Sequence, residues 1–196
     1  TETEKAQKKL LYARFEEDDG LCYRPATSPY GRIRHVADLW DNRSVFMGLL
    51  LNSVLTGDTE ARKCADRLAV AMRRIAVKSP DGYYYSTPVV PPGYVPDPDE
   101  KADIGQNMGG WITPLKKYSD IIGDESAFDL ANGLAEFIVR RMNVDEGIWR
   151  GRFNTHSAFF TIAGILRVAR KTGNKEHIQW AKNKYVSTEQ SLSSYA

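Results

Sequence analysis

The chain has 196 residues, of which 42% are hydrophobic, and this is enough to bury the core of one or two ordinary domains. Its 27 basic and 25 acidic residues leave a formal net charge of +2 and are spread along the whole sequence. This balance lacks the basic footprint of nucleic-acid binding, so we expect no polyanionic partner.

No apolar run approaches the roughly 20 residues of a membrane span, and no signal-peptide pattern occurs. We therefore expect a soluble protein with no membrane partner. Because the sequence begins at Thr1 rather than Met, a signal peptide could already have been removed, and both a cytoplasmic and a secreted or periplasmic location stay open.

The two cysteines, Cys22 and Cys64, lie in different local settings and have no spacing typical of a metal site. Cys64 falls on an apolar helix face, which predicts a buried free thiol. We predict no metal and no cofactor.

Two kinds of helix alternate along the sequence. One kind is amphipathic, with apolar residues at helical spacing and charged residues between them, and we call these outer helices. The other kind is apolar almost all round, which indicates a helix surrounded by protein, and we call these inner helices. In chain order, outer and inner helices are predicted at about Glu2–Glu17, Val45–Leu55, Thr59–Val77, Trp111–Ile122, Ala127–Met142, Ser157–Ala169 and from Lys175 into the 180s.

Glycine marks both ends of each unit. The inner helices stop at a glycine that suits the left-handed cap, and the next residue can cap the following outer helix. These pairs are Gly57 and Asp58, Gly123 and Asp124, and Gly173 and Asn174.

Glycines of a second kind stand before aromatic residues at the other ends of the helices. They recur about 24 residues after the first kind, so the chain contains an internal repeat of stacked helical units. They lie in long connections rich in Tyr, Trp, Pro and Arg, at 19–38, 81–104 and 146–154, and function usually resides in such loops. The three glycines are Gly20, Gly82 and Gly147.

Segments 41–58, 105–124 and 151–174 resemble the six-hairpin glycosidase superfamily, whose members fold as α/α toroids. The third segment is most similar to bacterial glycan-degrading proteins related to β-L-arabinofuranosidases. The resemblance implies an all-α fold of repeated helical hairpins and a carbohydrate-active enzyme. Prenyltransferases, terpene cyclases and polysaccharide lyases use related toroids. The arabinofuranosidases carry a zinc-binding cluster of glutamate and cysteines that this sequence lacks, so we do not extend the prediction of a zinc site to this chain.

A closed ring of six hairpins needs twelve helices, whereas the pattern predicts four outer and three inner ones. We therefore expect residues 1–196 to form a single incomplete domain, about half of a toroid. The chain would be a fragment, a truncated product or one part of an assembly. Its partner would be the missing half of the toroid or a second copy.

The resemblance places the substrate pocket where the inner helices begin. Glycoside hydrolysis usually needs two carboxylates, and Asp41 and Asp103 precede neighbouring inner helices. The alternative for both is that they only cap a helix. His156 is the one histidine at the start of an inner helix. It could transfer a proton or contact the substrate, or it could form a structural hydrogen bond near the helix start.

Sugar recognition needs flat aromatic rings together with planar amides or guanidinium groups, and the three inner-helix starts and the second aromatic loop offer both. For Tyr85 the alternative is packing beneath its own loop. The predicted substrate-binding residues are Trp40, Asn42, Arg43, Tyr85, Gln106, Asn107, Trp111, Arg152 and Asn154.

These observations predict a glycoside hydrolase acting on a plant or bacterial polysaccharide or oligosaccharide. Two non-catalytic alternatives remain, a glycan-binding remnant and an α-hairpin scaffold that binds a protein or peptide. Peptide-binding helical arrays have shorter, more regular repeats of about 34 to 47 residues, which disfavours the scaffold.

Overall fold

The computed structural model describes residues 2–15, 18–24, 35–102, 106–141 and 155–193, with the backbone alone at 106, 107, 155 and 191–193. These ranges contain seven helices and four short strands. The helices are α1 (Glu2–Tyr12), α2 (Leu39–Thr56), α3 (Thr59–Arg74), α4 (Gln106–Ile122), α5 (Glu125–Arg141), α6 (Thr155–Thr172) and α7 (Lys175–Ser193). The strands are β1 (Ala37–Asp38), β2 (Val77–Ser79), β3 (Gly82–Tyr84) and β4 (Val89–Val90).

The predicted order of helices is confirmed, with several differences. The inner helix α2 begins at Leu39, six residues before the predicted Val45. The first outer helix ends at Tyr12 rather than near Glu17. The inner helix α4 begins five residues before Trp111 and contains Pro114 in its interior. The strands were not predicted from sequence, because two- and three-residue strands are too short for an alternating pattern to be distinguished.

The glycine caps are as predicted. Gly57, Gly123 and Gly173 have φ angles of 72°, 81° and 71°, in the left-handed region that glycine adopts without steric cost. Oδ1 of Asp58 accepts backbone hydrogen bonds from Glu60 and Ala61 at the start of α3. Asp124 and Asn174 accept equivalent bonds at the starts of α5 and α7.

The chain divides into two compact units, each of which is described by itself. Unit 1 comprises Thr1–Ile75 and Thr87–Val95, and unit 2 comprises Ala76–Ser86 and Pro96–Ala196. The prediction of a single incomplete domain stays a prediction. No helix within the described ranges is long and apolar enough to span a membrane.

In unit 1, α2 and α3 form a helical hairpin. The core side of α3 includes Cys64, Leu68 and Met72, and α2 contributes Phe46 and Leu50. The buried Cys64 thiol is free, as predicted. Strand β1 pairs antiparallel with β4, which ties the proline-rich segment to the residues that lead into α2.

In unit 2, strands β2 and β3 form a hairpin that lies against α5. A Cβ atom at Gly82 would lie 2.2 Å from the carbonyl oxygen of Gly133, and φ at Gly82 is +129°. Glycine is therefore required at this contact. The ring of Tyr84 packs on Phe137 with 4.9 Å between centroids. Gly82 and Tyr84 of this aromatic loop thus pack closely against α5.

His177 on α7 differs from expectation, because a polar outer helix predicts an exposed side chain and this one is buried. Its Nδ1 atom has no hydrogen-bond partner among the described residues, and burial lowers the pKa of the imidazole. The charged residues beside His177 suggested exposure, but at helical spacing His177 shares a face with Trp180 and Ala181, which are both buried.

Candidate functional site

In unit 2, the inner helices α4 and α6 pack closely and run parallel. A Cβ at Gly109 of α4 would meet the Thr161 hydroxyl of α6 at 1.9 Å, and a Cβ at Gly164 of α6 would lie 3.0 Å from that of Ile112 on α4. Gly109 contacts Thr161 and Ile112 contacts Gly164, so the residue numbers rise in the same direction along both helices. Both helices therefore begin at the same end of the unit. The first turns of α4 and α6 thus lie at one end of unit 2, and they contain Gln106, Asn107 and His156.

Only part of that end is described. His156 lies in the first turn of α6 with an exposed side chain, and its ring meets Phe160 edge-on at 4.6 Å between centroids. Gln106 and Asn107 form the first turn of α4, where the backbone alone is described. Asp103, Arg152 and Asn154 lie outside the described residues, so their roles stay predictions.

In unit 1, the start of α2 carries two carboxylates linked by one arginine. Asp38 is the N-cap residue, and its Oδ1 accepts from the backbone amides of Trp40 and Asp41. Nη2 of Arg24 donates to Oδ2 of Asp38 at 2.9 Å, and Nε donates to Oδ2 of Asp41 at 2.7 Å. The bond to Asp41, followed by the nearby Asp38 charge, raises the pKa of Arg24 against the opposing effect of burial.

This geometry corrects the capping alternative for Asp41, since the cap is Asp38, three residues earlier. Asp41 lies in the first turn, where its charge also interacts favourably with the helix dipole. Its side chain is 45% exposed. An ionised carboxylate is a hydrogen-bond acceptor only, so Asp41 presents at the surface a group that can accept from sugar hydroxyls.

Trp40 and Arg43 stack on each other beside this pair. The guanidinium carbon of Arg43 lies 3.7 Å from the centroid of the Trp40 ring, well within the range of a cation–π contact. Burial lowers the pKa of Arg43. Both side chains are half-buried, so the aromatic surface and the cation predicted for this site are held at the start of α2.

Asn42 has a structural position instead of the predicted contact with substrate. Its side chain is fully buried, and its amide donates to the carbonyl of Cys22 at 2.9 Å and accepts from the amide of the same residue at 2.8 Å. These bonds hold residues 21–24 against α2 and place Arg24 beside the two carboxylates. Asn42 therefore positions Arg24.

Two predicted stacking residues lie in the core of unit 2. Trp111 is fully buried, and Tyr85 is 2% exposed, with a hydroxyl that has no hydrogen-bond partner among the described residues. Burial raises the pKa of Tyr85 well above its usual range. Neither ring is accessible to a sugar in this structure, which corrects their prediction as substrate-binding residues. For Tyr85, packing beneath the loop is the alternative that the structure shows.

Sequence reasoning did not single out Arg24, the residue that joins Asp38 to Asp41. The pairing is between residues 14 and 17 positions apart, across a long loop, and no local pattern signals it. Within the described ranges, no group of three or more His, Cys, Asp or Glu side chains is placed to hold a metal ion.

No protein-family model and no curated protein matches the sequence. Three solved structures are similar in fold. An unsaturated glucuronyl hydrolase specific for heparin is 15% identical, with a TM-score of 0.64 over 90% of this chain and 52% of its own. The unsaturated glucuronyl hydrolase responsible for the degradation of glycosaminoglycan from Bacillus sp. GL1 is 19% identical, with a TM-score of 0.63 over 91% and 53%.

The third is a UGL variant with dGlcA-Glc-Rha-Glc, 18% identical, with a TM-score of 0.64 over 91% of this chain and 53% of its own. At these identities the likeness concerns the fold, and it confirms the all-α toroid class expected from the alternating helices. The chain spans about half the length of the solved structures it matches, and within that span it has the fold of an α/α six-hairpin toroid.

Proposed function

We propose that the toroid to which this chain belongs is a carbohydrate-active enzyme, a glycoside hydrolase acting on a plant or bacterial polysaccharide or oligosaccharide. The observation that carries the proposal is an exposed carboxylate, Asp41, at the start of an inner helix of a fold shared with glucuronyl hydrolases. Trp40 and Arg43 beside it supply the mixture of aromatic and cationic groups that sugar recognition needs.

In this proposal Asp41 is one of the paired carboxylates and Asp103 is the other. Arg24 positions Asp41 by donating to its carboxylate, and Asp38 in turn holds Arg24 by accepting a second hydrogen bond from it. His156, exposed in the first turn of α6, is a candidate for proton transfer or for binding a hydroxyl. The separation of the two acting carboxyl groups would set the stereochemical outcome.

The first substrates to test are short glycans that end in an unsaturated uronic acid, since the similar structures act on such classes of glycan. A second panel should hold neutral plant oligosaccharides. Hydrolysis by the full gene product is followed by the loss of the ultraviolet absorbance of the unsaturated acid, and by release of reducing ends for the neutral panel.

Asp41→Asn keeps the size of the side chain but removes its charge. We expect a fall in kcat of about 100-fold or more on the best substrate, because a positioned acid or base contributes about that much. The matched control is Asp66→Asn, which removes an exposed carboxylate on α3 that pairs with Arg62 and lies outside the proposed site. Equal activity of the Asp41 variant and the wild type, on a substrate that is turned over, would exclude Asp41 from the chemistry.

A non-catalytic glycan-binding or protein-binding scaffold is the second candidate. Its support is that Asp38 and Asp41 both pair with the same side chain, Arg24, an arrangement that also suits a purely structural ion-pair network. Saturable binding of a glycan by calorimetry without any product, in the wild-type protein, would favour this candidate over the enzyme.

A further inference from the structure

Helix α2 has an exposed stripe on the side opposite its core face. Leu39, Phe46 and Leu50 are fully buried on one side of the helix. On the other side, Leu51 is 47% exposed and Leu55 is 80% exposed. The stripe is formed, at helical spacing, by Ser44, Gly48, Leu51 and Leu55.

Gly48 lies in the middle of this stripe with open space around it. Apart from its chain neighbours and the surrounding backbone of α2, no described atom lies within 4 Å of the position that a Cβ atom would occupy there. Glycine in a helix interior costs about 1 kcal/mol relative to alanine. Neither the backbone conformation of α2 nor any contact among the described residues requires it.

The repeat supplies a counterpart to this glycine. Gly48 lies nine residues before the capping glycine Gly57, and Gly164 of α6 lies nine residues before Gly173. The third inner helix, α4, has Pro114 at this position. The stripe on α2 therefore corresponds, position by position, to the stripe of α6 formed by Phe160, Gly164, Arg167 and Lys171.

On α6 that stripe receives the neighbouring inner helix α4. The Cβ of Ile112 lies 3.0 Å from where a Cβ of Gly164 would be, so any larger residue would require this neighbour to move by a few tenths of an ångström. Below it, Arg167 donates to the hydroxyl of Thr113 at 3.4 Å. About one turn after Arg167, Lys171 pairs with Asp120 at 3.8 Å.

We propose that the α2 stripe is the seat of a parallel inner helix from the complementary half of the toroid. That helix would present a branched apolar side chain to Gly48, as Ile112 is presented to Gly164. It would present apolar groups to Leu51 and Leu55, because these leucines occupy the places of Arg167 and Lys171 and leave no charge to pair.

The source of this helix follows from the fold. The similar solved structures contain about as much chain again as the part matched here, so their toroids include inner helices beyond the three of this chain. An apolar inner-helix face that is exposed to solvent is the expected place for such a helix to pack. The proposal rests on the fold and the repeat, and it is independent of the proposed enzymatic activity.

Alkylation of an introduced cysteine measures whether the stripe is covered. In the full gene product we expect Leu51→Cys to react much more slowly than Val70→Cys, a matched control on α3 whose native side chain is 68% exposed. Equal rates for the two variants in a folded protein would overturn the proposal. Protection that appears only as the protein dimerises on concentration would also overturn it, because the occupant would then be a second copy.

Gly48→Ala tests the same contact by comparison with Gly164→Ala. If the stripe is covered as on α6, the added methyl group meets the seated helix, and the midpoint of urea unfolding changes as it does for the control Gly164→Ala. If the stripe is open, alanine favours the helix and the midpoint rises. A rise with Gly48→Ala that clearly exceeds the change with Gly164→Ala would refute the proposal even if the cysteine variant did not fold.

Discussion

Asp58 connects three helices of unit 1, and its removal is the most informative test of the fold. Its Oδ1 caps α3 through two backbone amides. Its Oδ2 accepts from Lys8 at 3.0 Å and Tyr12 at 3.1 Å on α1, and from Asn52 on α2 at 3.0 Å. We expect Asp58→Ala to lower the free energy of unfolding because all five bonds are lost together.

The magnitude follows from these contacts. Loss of an N-cap costs about 1 kcal/mol. Tyr12 and Asn52 each lose a part-buried hydrogen bond, which costs about 1 kcal/mol apiece. Lys8 is 37% exposed and its ion pair contributes only about 0 to 1 kcal/mol. The sum is about 3 kcal/mol, whereas Asn174→Ala, which removes a cap at the start of α7, should cost about 1 kcal/mol.

The assay is urea unfolding at neutral and acidic pH. The backbone amide of Ala61 and then Lys8 lower the pKa of Asp58 below its usual 3.8, so the native state binds a proton there less readily than the unfolded state does. The stabilisation by Asp58 is therefore complete when the pH is above the pKa of Asp58 in the unfolded state. It is lost as the pH falls towards the lower pKa of Asp58 in the folded state. The difference between wild type and Asp58→Ala should shrink below about pH 4.

A loss from Asp58→Ala no greater than that from Asn174→Ala would refute the reasoning, since it would leave only the cap. Asp58→Asn should be intermediate. Its amide oxygen can still cap α3, but its amide nitrogen cannot accept from Tyr12 and Asn52.

The remaining predictions concern close packing and thiol chemistry. Gly82→Ala should lower the free energy of unfolding in urea by about 3 to 5 kcal/mol, because backbone strain and a clash with α5 combine. The control Gly93→Ala, where φ is +71° and the surrounding space is open, should lower it by about 1 to 2 kcal/mol. Equal losses from the two variants would contradict this reasoning. Gly109→Ala should lower the unfolding midpoint. Thr161→Ala should restore only part of the loss, because it removes the hydroxyl at 1.9 Å and the methyl group at 2.5 Å but keeps the Cβ at 2.6 Å; additive losses would argue against the contact. Burial raises the pKa of Cys22 to about 11, so iodoacetamide should modify this buried thiol only after unfolding. Alkylation of Cys22 in the native protein, detected by mass spectrometry, would contradict this prediction.

The helical rhythm of this fold is readable from the sequence because its signals are local. An apolar run followed by Gly57 and Asp58 specifies the end of one helix and the start of the next through backbone geometry and capping alone. The same local reasoning predicted that Cys64 would be buried, since an amphipathic face shows which side of a helix packs inward.

Burial of the aromatic residues was not readable in this way. Trp111 and Tyr85 stand in the segments where sugar-stacking rings are expected, yet both are core residues. An aromatic residue at a helix start or in a loop fits an exposed stacking site and a packed core equally well. The choice depends on which neighbours enclose it, and these are distant in sequence.

The sequence by itself determined the order of the helices and the glycine caps, because each depends on residues within a few positions of one another, and its resemblance to a known superfamily implied the class of fold. The tertiary structure alone decided that Asn42 holds residues 21–24 and that Arg24 thereby pairs with Asp41. These contacts join residues up to 20 positions apart across a long loop, and their partners are selected by packing rather than by any local preference.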